Sequence, residues 1–199
     1  MSNLFNTLEM EAFRKGITLR TKESQTWFRK RLANMRSVDN ASLMRDNQVN
    51  LQSRVGPGTM AMFYYDPKHK KTLPYYDRFP LIILVDKVKG GFHGLNLHYL
   101  PPTLRAKFLD GLMDNMNNKL YDETTKFKVN YAMLQRASKL RYFKACYKMY
   151  LNDHVRSKFA EIEAPEWEIA TFLPIADFAK SSKANVYKAQ SDTNKGIIS

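Results

Sequence analysis

The sequence predicts an α+β fold in which N-terminal helices precede a small antiparallel β-sheet or partial barrel, and C-terminal helices follow. Three observations support this class: helical spacing of apolar residues in the first segment, β-branched runs with turn signals in the second, and an amphipathic helical pattern in the third. Hydrophobic residues make up 44% of the chain and charged residues 26%, which is typical of a chain that packs a core. We therefore expect an N-terminal helical region at residues 1–55, a small β domain at 56–102, and a helical region with a polar tail at 103–199.

The first segment contains one well-marked helix. Ser24 is a plausible N-cap, and Trp27, Phe28 and Leu32 recur near helical spacing after it. The Gly-Pro-Gly sequence at 56–58 breaks this pattern sharply and marks the start of the next segment.

The second segment contains three predicted strands. They lie at 60–65, at 80–85 and at 92–100, and the sequence Lys89-Gly90-Gly91 marks a turn between the last two. The first two strands are separated by a long loop at 66–79, which we call the 66–79 loop. Three short strands of this kind favour a small curled antiparallel sheet.

The third segment begins with the clearest amphipathic helix of the chain. Thr103 can cap it, and Leu104, Phe108 and Leu112 repeat at intervals of four residues. A long helical stretch, continuous or broken, is predicted from Asp122 to Val155, and the end of the chain is predicted to be a weak helix or a polar tail.

The charge balance indicates a polyanionic partner. The chain has 32 Lys and Arg residues against 19 Asp and Glu residues, a net charge of +13. Such a balance favours nucleic acid or an acidic membrane surface. No window approaches the run of apolar residues that a membrane span needs, and the first twenty residues do not resemble a signal peptide. The single cysteine, Cys146, excludes an internal disulfide framework and a cysteine-rich zinc site, so we expect synthesis in the cytosol.

The segment from Lys126 to Lys148 is the strongest candidate for nucleic-acid contact, because it has seven basic residues and no acidic one. Lys and Arg neutralise phosphates, and the interleaved rings could stack on bases. If the segment is helical, Arg141, Lys144 and Lys148 share one face. The alternative is a solvated helix whose rings belong to the core. The seven candidates are Lys126, Lys128, Arg136, Lys139, Arg141, Lys144 and Lys148.

The 66–79 loop is the second candidate, since it combines four cations, two prolines and two adjacent tyrosines. Prolines favour an ordered loop. It could grip a phosphate backbone or contact a neighbouring subunit. Its candidate nucleic-acid-binding residues are Lys68, Lys70, Lys71, Arg78, Tyr75 and Tyr76.

No assembled catalytic site is visible, and we predict a protein that is not an enzyme, without metal or cofactor. The four histidines are scattered without metal-ligand spacing. Asp77 is interpreted as a turn residue or as half of a loop salt bridge. Asn96, if buried, is expected to satisfy backbone groups.

The run from Asp66 to Leu81, together with 90–92 and 94–102, resembles a block found in virion proteins of T-even-like contractile-tailed bacteriophages. Weaker likeness extends to 27–29, to 151–155 and to Trp167. Within that set the chain resembles the DNA end protector family most. The resemblance implies binding to the termini of packaged double-stranded DNA, and protection of those termini from host exonuclease.

The second assignment that the resemblance leaves open is a baseplate, tail-hub or neck component that contacts only other virion proteins. The expected partners are therefore double-stranded DNA and other phage virion proteins of the portal, neck or tail, with no membrane. The expected location is the host cytoplasm during assembly and the virion thereafter.

Overall fold

The computed structural model describes residues 4–35, 38–46, 49–116, 118–120, 122–140 and 143–195. The fold class is α+β, as the sequence predicts. The α-helices of the described residues are α1 (Leu4–Arg14), α2 (Lys22–Ala33), α3 (Asn40–Arg45), α4 (Pro102–Met116), α5 (Glu123–Lys139), α6 (Trp167–Phe172) and α7 (Lys183–Lys195). The strands are β1 (Asn50–Gln52), β2 (Met60–Met62), β3 (Tyr76–Asp77), β4 (Leu81–Val88), β5 (Gly91–Asn96), β6 (Tyr147–Leu151), β7 (Phe159–Ile162) and β8 (Phe178–Ala179).

Helix α2 begins one turn earlier than the sequence suggests. Its N-cap is Thr21, whose side chain accepts a hydrogen bond from the Ser24 N–H, while the Ser24 hydroxyl accepts one from the Thr21 N–H. Ser24 is therefore the third helical residue of a capping box and not the cap itself. The predicted apolar stripe is present, since Phe28 and Leu32 are both buried.

Six of the described strands form one antiparallel sheet in the order β1-β7-β2-β4-β5-β6, and β3 pairs with β8 in a separate two-stranded sheet. Strand β4 is central, because it pairs with β2 on one side and with β5 on the other. The sheet takes β1 from the first predicted segment, β2, β4 and β5 from the second, and β6 and β7 from the third. The division into domains at residues 55 and 102 stays a prediction.

Both faces of β4 are buried, which explains its continuous apolar sequence. Leu81, Ile83 and Val85 point into the larger core, which the helices cover. Ile82 and Leu84 point into a smaller core on the opposite face. The predicted buried strand at 80–85 is confirmed.

The smaller core is built around the ring of Phe63. Its centroid lies 5.3 Å from that of Tyr150 on β6 and 4.9 Å from that of Phe159 on β7. Since β6 and β7 are separated by three strands in the sheet, a shared contact with one ring requires the sheet to curl. This curvature brings the segment between β6 and β7 beside Tyr65, which forms an isolated bridge with Val155.

The long C-terminal helix predicted from Asp122 to Val155 is wrong beyond Lys139. Helix α5 ends there with Leu140 as its C-cap, and β6 then pairs with β5 as an edge strand. The sequence of β6, Tyr-Lys-Met-Tyr-Leu, is rich in aromatic residues that suit a half-buried strand. The open edge of β5 therefore selects strand over helix, a tertiary effect that local spacing does not report.

Candidate nucleic-acid interface

The 66–79 loop is held by contacts from two other parts of the chain, one at His154 and one from Asp177 to Lys180. The Lys180 ammonium group donates to the carbonyl oxygens of Lys70, Lys71 and Leu73, at 2.6, 2.9 and 3.1 Å. At the start of the loop, the Asp66 N–H donates to the His154 carbonyl oxygen, and at its end the Arg78 N–H donates to the Asp177 carbonyl oxygen. The loop is therefore ordered, as its prolines suggest.

Two of the four loop cations are paired with carboxylates. Lys70 lies 2.9 Å from Asp66, and Arg78 lies 2.6 Å from Asp177. Lys68 and Lys71 are exposed, and the described residues provide no carboxylate partner for either. Lys68 and Lys71 are thus the loop cations with the most charge available to an external anion.

Below the loop lies a cavity of about 410 Å³, which we call the tyrosine cavity. It brings loop residues together with the edge of the main sheet, because the 66–79 loop forms one wall and β6 forms another. Its aromatic lining comes from five tyrosines, and Leu73 and Met149 add apolar surface. The lining tyrosines are Tyr65, Tyr75, Tyr76, Tyr99 and Tyr150.

Lys148 of β6 contributes a cation to the tyrosine cavity. Its ammonium nitrogen lies 4.4 Å from the centroid of the Tyr99 ring, a cation–π contact. The side chain is half-buried, and burial lowers the pKa of Lys148. Among the described residues no carboxylate pairs with it. Lys148 therefore provides a partly desolvated positive charge beside the aromatic wall.

The floor of the tyrosine cavity is a buried polar network centred on Asp77. The Asp77 carboxylate accepts hydrogen bonds from His98 Nδ1 at 2.7 Å, Asn96 Nδ2 at 3.1 Å, and the N–H groups of Phe79 and Asp177 at 3.1 and 3.3 Å. Asp77 accepts the Phe79 N–H two residues on, as a turn residue does, but its interpretation as half of a loop salt bridge is wrong. It is 4% exposed and joins the loop to the main sheet.

Asn96 completes this network. Its side-chain oxygen accepts the His98 N–H, as expected for a buried amide that satisfies backbone groups. Its amide nitrogen also donates to the Tyr150 hydroxyl at 3.1 Å. The amide therefore ties the 66–79 loop, through Asp77, to strand β6.

The ionisation states of Asp77 and His98 follow from their surroundings. Burial alone raises the pKa of Asp77, but the neighbouring His98 and the donated hydrogen bonds outweigh burial and hold that pKa below its usual value. Burial lowers the pKa of His98 and outweighs the attraction of Asp77. At neutral pH an ionised Asp77 therefore accepts the Nδ1 proton of a neutral His98.

Helix α5 carries a separate basic face, which we call the α5 face. Lys128, Arg136 and Lys139 are exposed and fall within about 80° of arc at the 100° per residue of an α-helix. Leu134 and Ala137 on the same helix are buried in the larger core. The α5 face therefore points away from the core.

The other predicted basic residues of this segment lie elsewhere. The single helical face predicted for Arg141, Lys144 and Lys148 is wrong, because Lys144 is on a turn and Lys148 is on β6. Arg141 and the side chain of Lys126 lie outside the described part of the chain. The structure thus brings Lys148 to the 66–79 loop and places the α5 face on a different element.

Three residues of this interface were missed by sequence reasoning. Tyr65 and Tyr99 line the tyrosine cavity, and Lys180 anchors the loop. The resemblance block includes Tyr99 and ends near it, which is the one signal for these residues. Lys180 is one of several lysines in a polar segment, and no local pattern distinguishes it.

Two classes of feature are absent from the described residues. No group of three or more His, Cys, Asp and Glu side chains there could hold a metal ion. No helix there is long and apolar enough to cross a membrane.

Comparison with known families gives a match that covers nearly the whole chain. A family model described as phage T4 terminal DNA protecting protein matches residues 1–195. The chain belongs to this family. The match confirms the resemblance to DNA end protectors, and it covers nearly the whole chain. No curated protein and no solved structure gives a significant match.

Membership supports a role at the ends of phage DNA. The family description names a DNA-protecting protein and not an enzyme.

Proposed function

We propose that this chain binds the termini of packaged double-stranded phage DNA through the tyrosine cavity and its loop, and thereby blocks exonuclease. The observation that carries the proposal is the meeting of the 66–79 loop and Lys148 around one aromatic cavity. A terminus differs from the body of a duplex because its last bases fray and their faces become available for stacking. An exonuclease needs the same terminal bases, so a chain that occupies them excludes the enzyme.

The proposal assigns a role to each basic surface. Lys68, Lys71 and Lys148 neutralise phosphates near the terminus, and the α5 face contacts phosphates of the adjoining duplex. Lys70 and Arg78 already have carboxylate partners, and we assign them chiefly to shaping the loop. Tyr75 and Tyr76 face the terminal base. The other partners are virion proteins of the portal, neck or tail, and the chain acts in the host cytoplasm during assembly and then in the virion.

The test is exonuclease digestion of linear duplex DNA in the presence of the protein, with covalently closed circular DNA as competitor. End binding predicts protection that closed circles compete for poorly. Tyr76→Ala should weaken protection, whereas Phe13→Ala should not, because Phe13 is an 83% exposed ring on α1, outside the tyrosine cavity.

Two results would overturn the proposal. Equal competition by closed and linear DNA would show general coating of the duplex. Absence of binding to either form, together with assembly of the chain with tail proteins, would favour the baseplate, tail-hub or neck component.

A further inference from the structure

We propose that the tyrosine cavity accepts one unpaired nucleotide at the DNA terminus, and that it holds this nucleotide without reading which base it carries. This inference rests on the proposed end-binding function and specifies its substrate. It implies a preference for a terminus with an overhang over a blunt one.

The size and shape of the cavity favour a single nucleotide. Its volume of about 410 Å³ lies near the lower end of the range for small-molecule pockets, which is roughly 300–1,000 Å³. A base inside a duplex is stacked and paired, so it must leave the helix before it can enter a concave site. An overhanging base is already unpaired, and its entry avoids the unpairing cost of a few kcal/mol.

The walls provide stacking surfaces. Tyr75 and Tyr76 are half-buried, and Met149 is 49% exposed, so each has surface left for a ligand. Tyr75 is itself braced, since its ring centroid lies 6.1 Å from that of Tyr99 and 6.5 Å from that of Phe178. A braced ring loses little freedom when a base stacks on it. Every base has a π-face, so stacking of this kind tolerates all four.

Asp77 and Asn96, the floor residues that line the cavity, cannot read base edges because other groups of the network already occupy their side chains. Both oxygens of Asp77 are occupied by four donors, and the amide of Asn96 is occupied by Asp77, Tyr150 and the His98 N–H. Discrimination among bases requires free donors and acceptors placed against the base edge. The floor therefore contributes shape and not sequence recognition.

The charge at the cavity is suited to the phosphate of the same nucleotide. Lys148 is half-buried, makes a cation–π contact and has no carboxylate partner among the described residues. Lys68, on the wall formed by the 66–79 loop, is exposed. A phosphate beside the partly desolvated Lys148 would compensate for the hydration that burial removes from its ammonium group. Stacking and phosphate contact together define a nucleotide as the ligand.

The experiment uses hairpin duplexes with a single open end, which is blunt or carries a one-nucleotide 3′ or 5′ overhang of each base. Binding is measured by fluorescence anisotropy, and 2-aminopurine at the overhang reports stacking by quenching. We expect at least one overhang polarity to bind roughly 5- to 150-fold more tightly than the blunt end, the range that corresponds to one stacked base. The four bases should agree within about threefold at that polarity.

Variants assign the effect to the cavity. Tyr76→Ala should remove most of the overhang preference and the quenching, and Tyr76→Phe should retain both. Lys148→Gln should reduce the salt slope of overhang binding by about one. Lys89→Gln is the matched control, because Lys89 is an exposed lysine at the β4–β5 turn and does not line the cavity.

Equal binding of blunt and overhanging ends by the unmodified chain, or a preference of tenfold or more for one base, would overturn this inference. Such a result would leave the proposed function intact if closed circles still competed poorly. Loss of the preference for linear over closed DNA would instead remove the proposed function.

Discussion

The Nδ1 atom of His98 lies 2.7 Å from Oδ2 of Asp77, and both side chains are almost completely shielded from solvent. This contact joins a residue of β3 to the short 3-10 helix that follows β5. Because β3 ends the 66–79 loop, the pair fixes the loop relative to the main sheet. The tyrosine cavity lies directly above this connection, with Asp77 and Asn96 in its lining.

Removal of the Asp77 carboxylate should destabilise the fold strongly. Asp77→Ala removes the acceptor of four donors, three of them buried, and we expect a loss of several kcal/mol in the free energy of unfolding, at about 1–3 kcal/mol for each buried donor left unpaired. Asp77→Asn should cost less, since an amide oxygen can still accept some of these bonds. The measurement is urea denaturation at neutral pH.

The partly exposed pair of His93 and Asp86 is the matched control for Asp77. Its two atoms are 2.6 Å apart, but the side chains are 24% and 34% exposed. Asp86→Asn should therefore cost no more than about 1 kcal/mol. Equal losses for the two aspartates would contradict the assignment of Asp77 as the buried anchor.

Stability should fall on mild acidification because of His98. Its pKa in the folded chain is lowered from 6.5, so below that pH the unfolded state binds a proton that the folded state does not. The free energy of unfolding therefore falls by at most about 1.4 kcal/mol per pH unit. The pKa of Asp77 is also lowered, from 3.8, so its contribution is present above that pH and is lost only as pH falls through the folded value. Urea titrations at pH 7.5, 6.5 and 5.5 therefore lie above the Asp77 transition. Burial raises the pKa values of Glu9, Glu166 and Glu168, which oppose the His98 effect as pH falls, so the His98 contribution is taken from comparison with a variant.

His98→Asn provides the comparison for this pH dependence. The asparagine amide can still donate to Asp77 but does not titrate, so the variant should be less stable at neutral pH and should show a flatter profile between pH 6.5 and 5.5. His69→Asn, at an exposed loop position, should retain the slope of the unmodified chain. If His98→Asn kept the full dependence of unfolding free energy on pH, groups other than His98 would be responsible for it.

Gly91 should not tolerate a side chain. It lies opposite Leu151 in the pairing of β5 with β6, and a Cβ atom there would overlap the carbonyl oxygen of Tyr150. Since backbone cannot yield as a flexible side chain can, Gly91→Ala should cost about 1–3 kcal/mol or more and should loosen β6. Gly56→Ala is the control, because no atom lies within 4 Å of its added Cβ. Thermal unfolding of both variants tests this, and an unchanged melting temperature for Gly91→Ala would contradict the close approach.

The parts of the fold that sequence reasoning predicted depend on local patterns. Strand β4 shows continuous apolar residues between turn signals, and helix α4 shows apolar residues at helical spacing. Strand β6 could not be predicted in this way, because its conformation depends on the edge of β5, more than fifty residues earlier. Its aromatic residues also fit a helical spacing, so their spacing alone did not distinguish a strand from a helix.

The same limit applies to the site. The resemblance block and the loop cations pointed to Tyr75 and Tyr76, and the structure places both in the tyrosine cavity. The contact of Asp77 with His98 joins residues 21 positions apart, one on β3 and one on the 3-10 helix after β5. The position of Lys148 in the cavity depends on β6 being a strand. Neither follows from composition or spacing, because each is a consequence of tertiary pairing.

The α5 face should contribute to affinity for duplex DNA through phosphates alone. Replacing Lys128, Arg136 and Lys139 together by Gln should reduce the slope of log K against log salt by up to about 2.7, since each phosphate contact contributes about 0.9. The triple variant should unfold at nearly the same temperature as the unmodified chain, because all three side chains are exposed and away from the core. Lys89, Lys158 and Lys188, also exposed, can be replaced by Gln as a control with the same change in net charge. Equal slopes of log K against log salt for the two triple variants would mean that net charge, and not the α5 face, governs binding. A preserved overhang preference in the α5 variant would show that separate surfaces contact the duplex and the terminus.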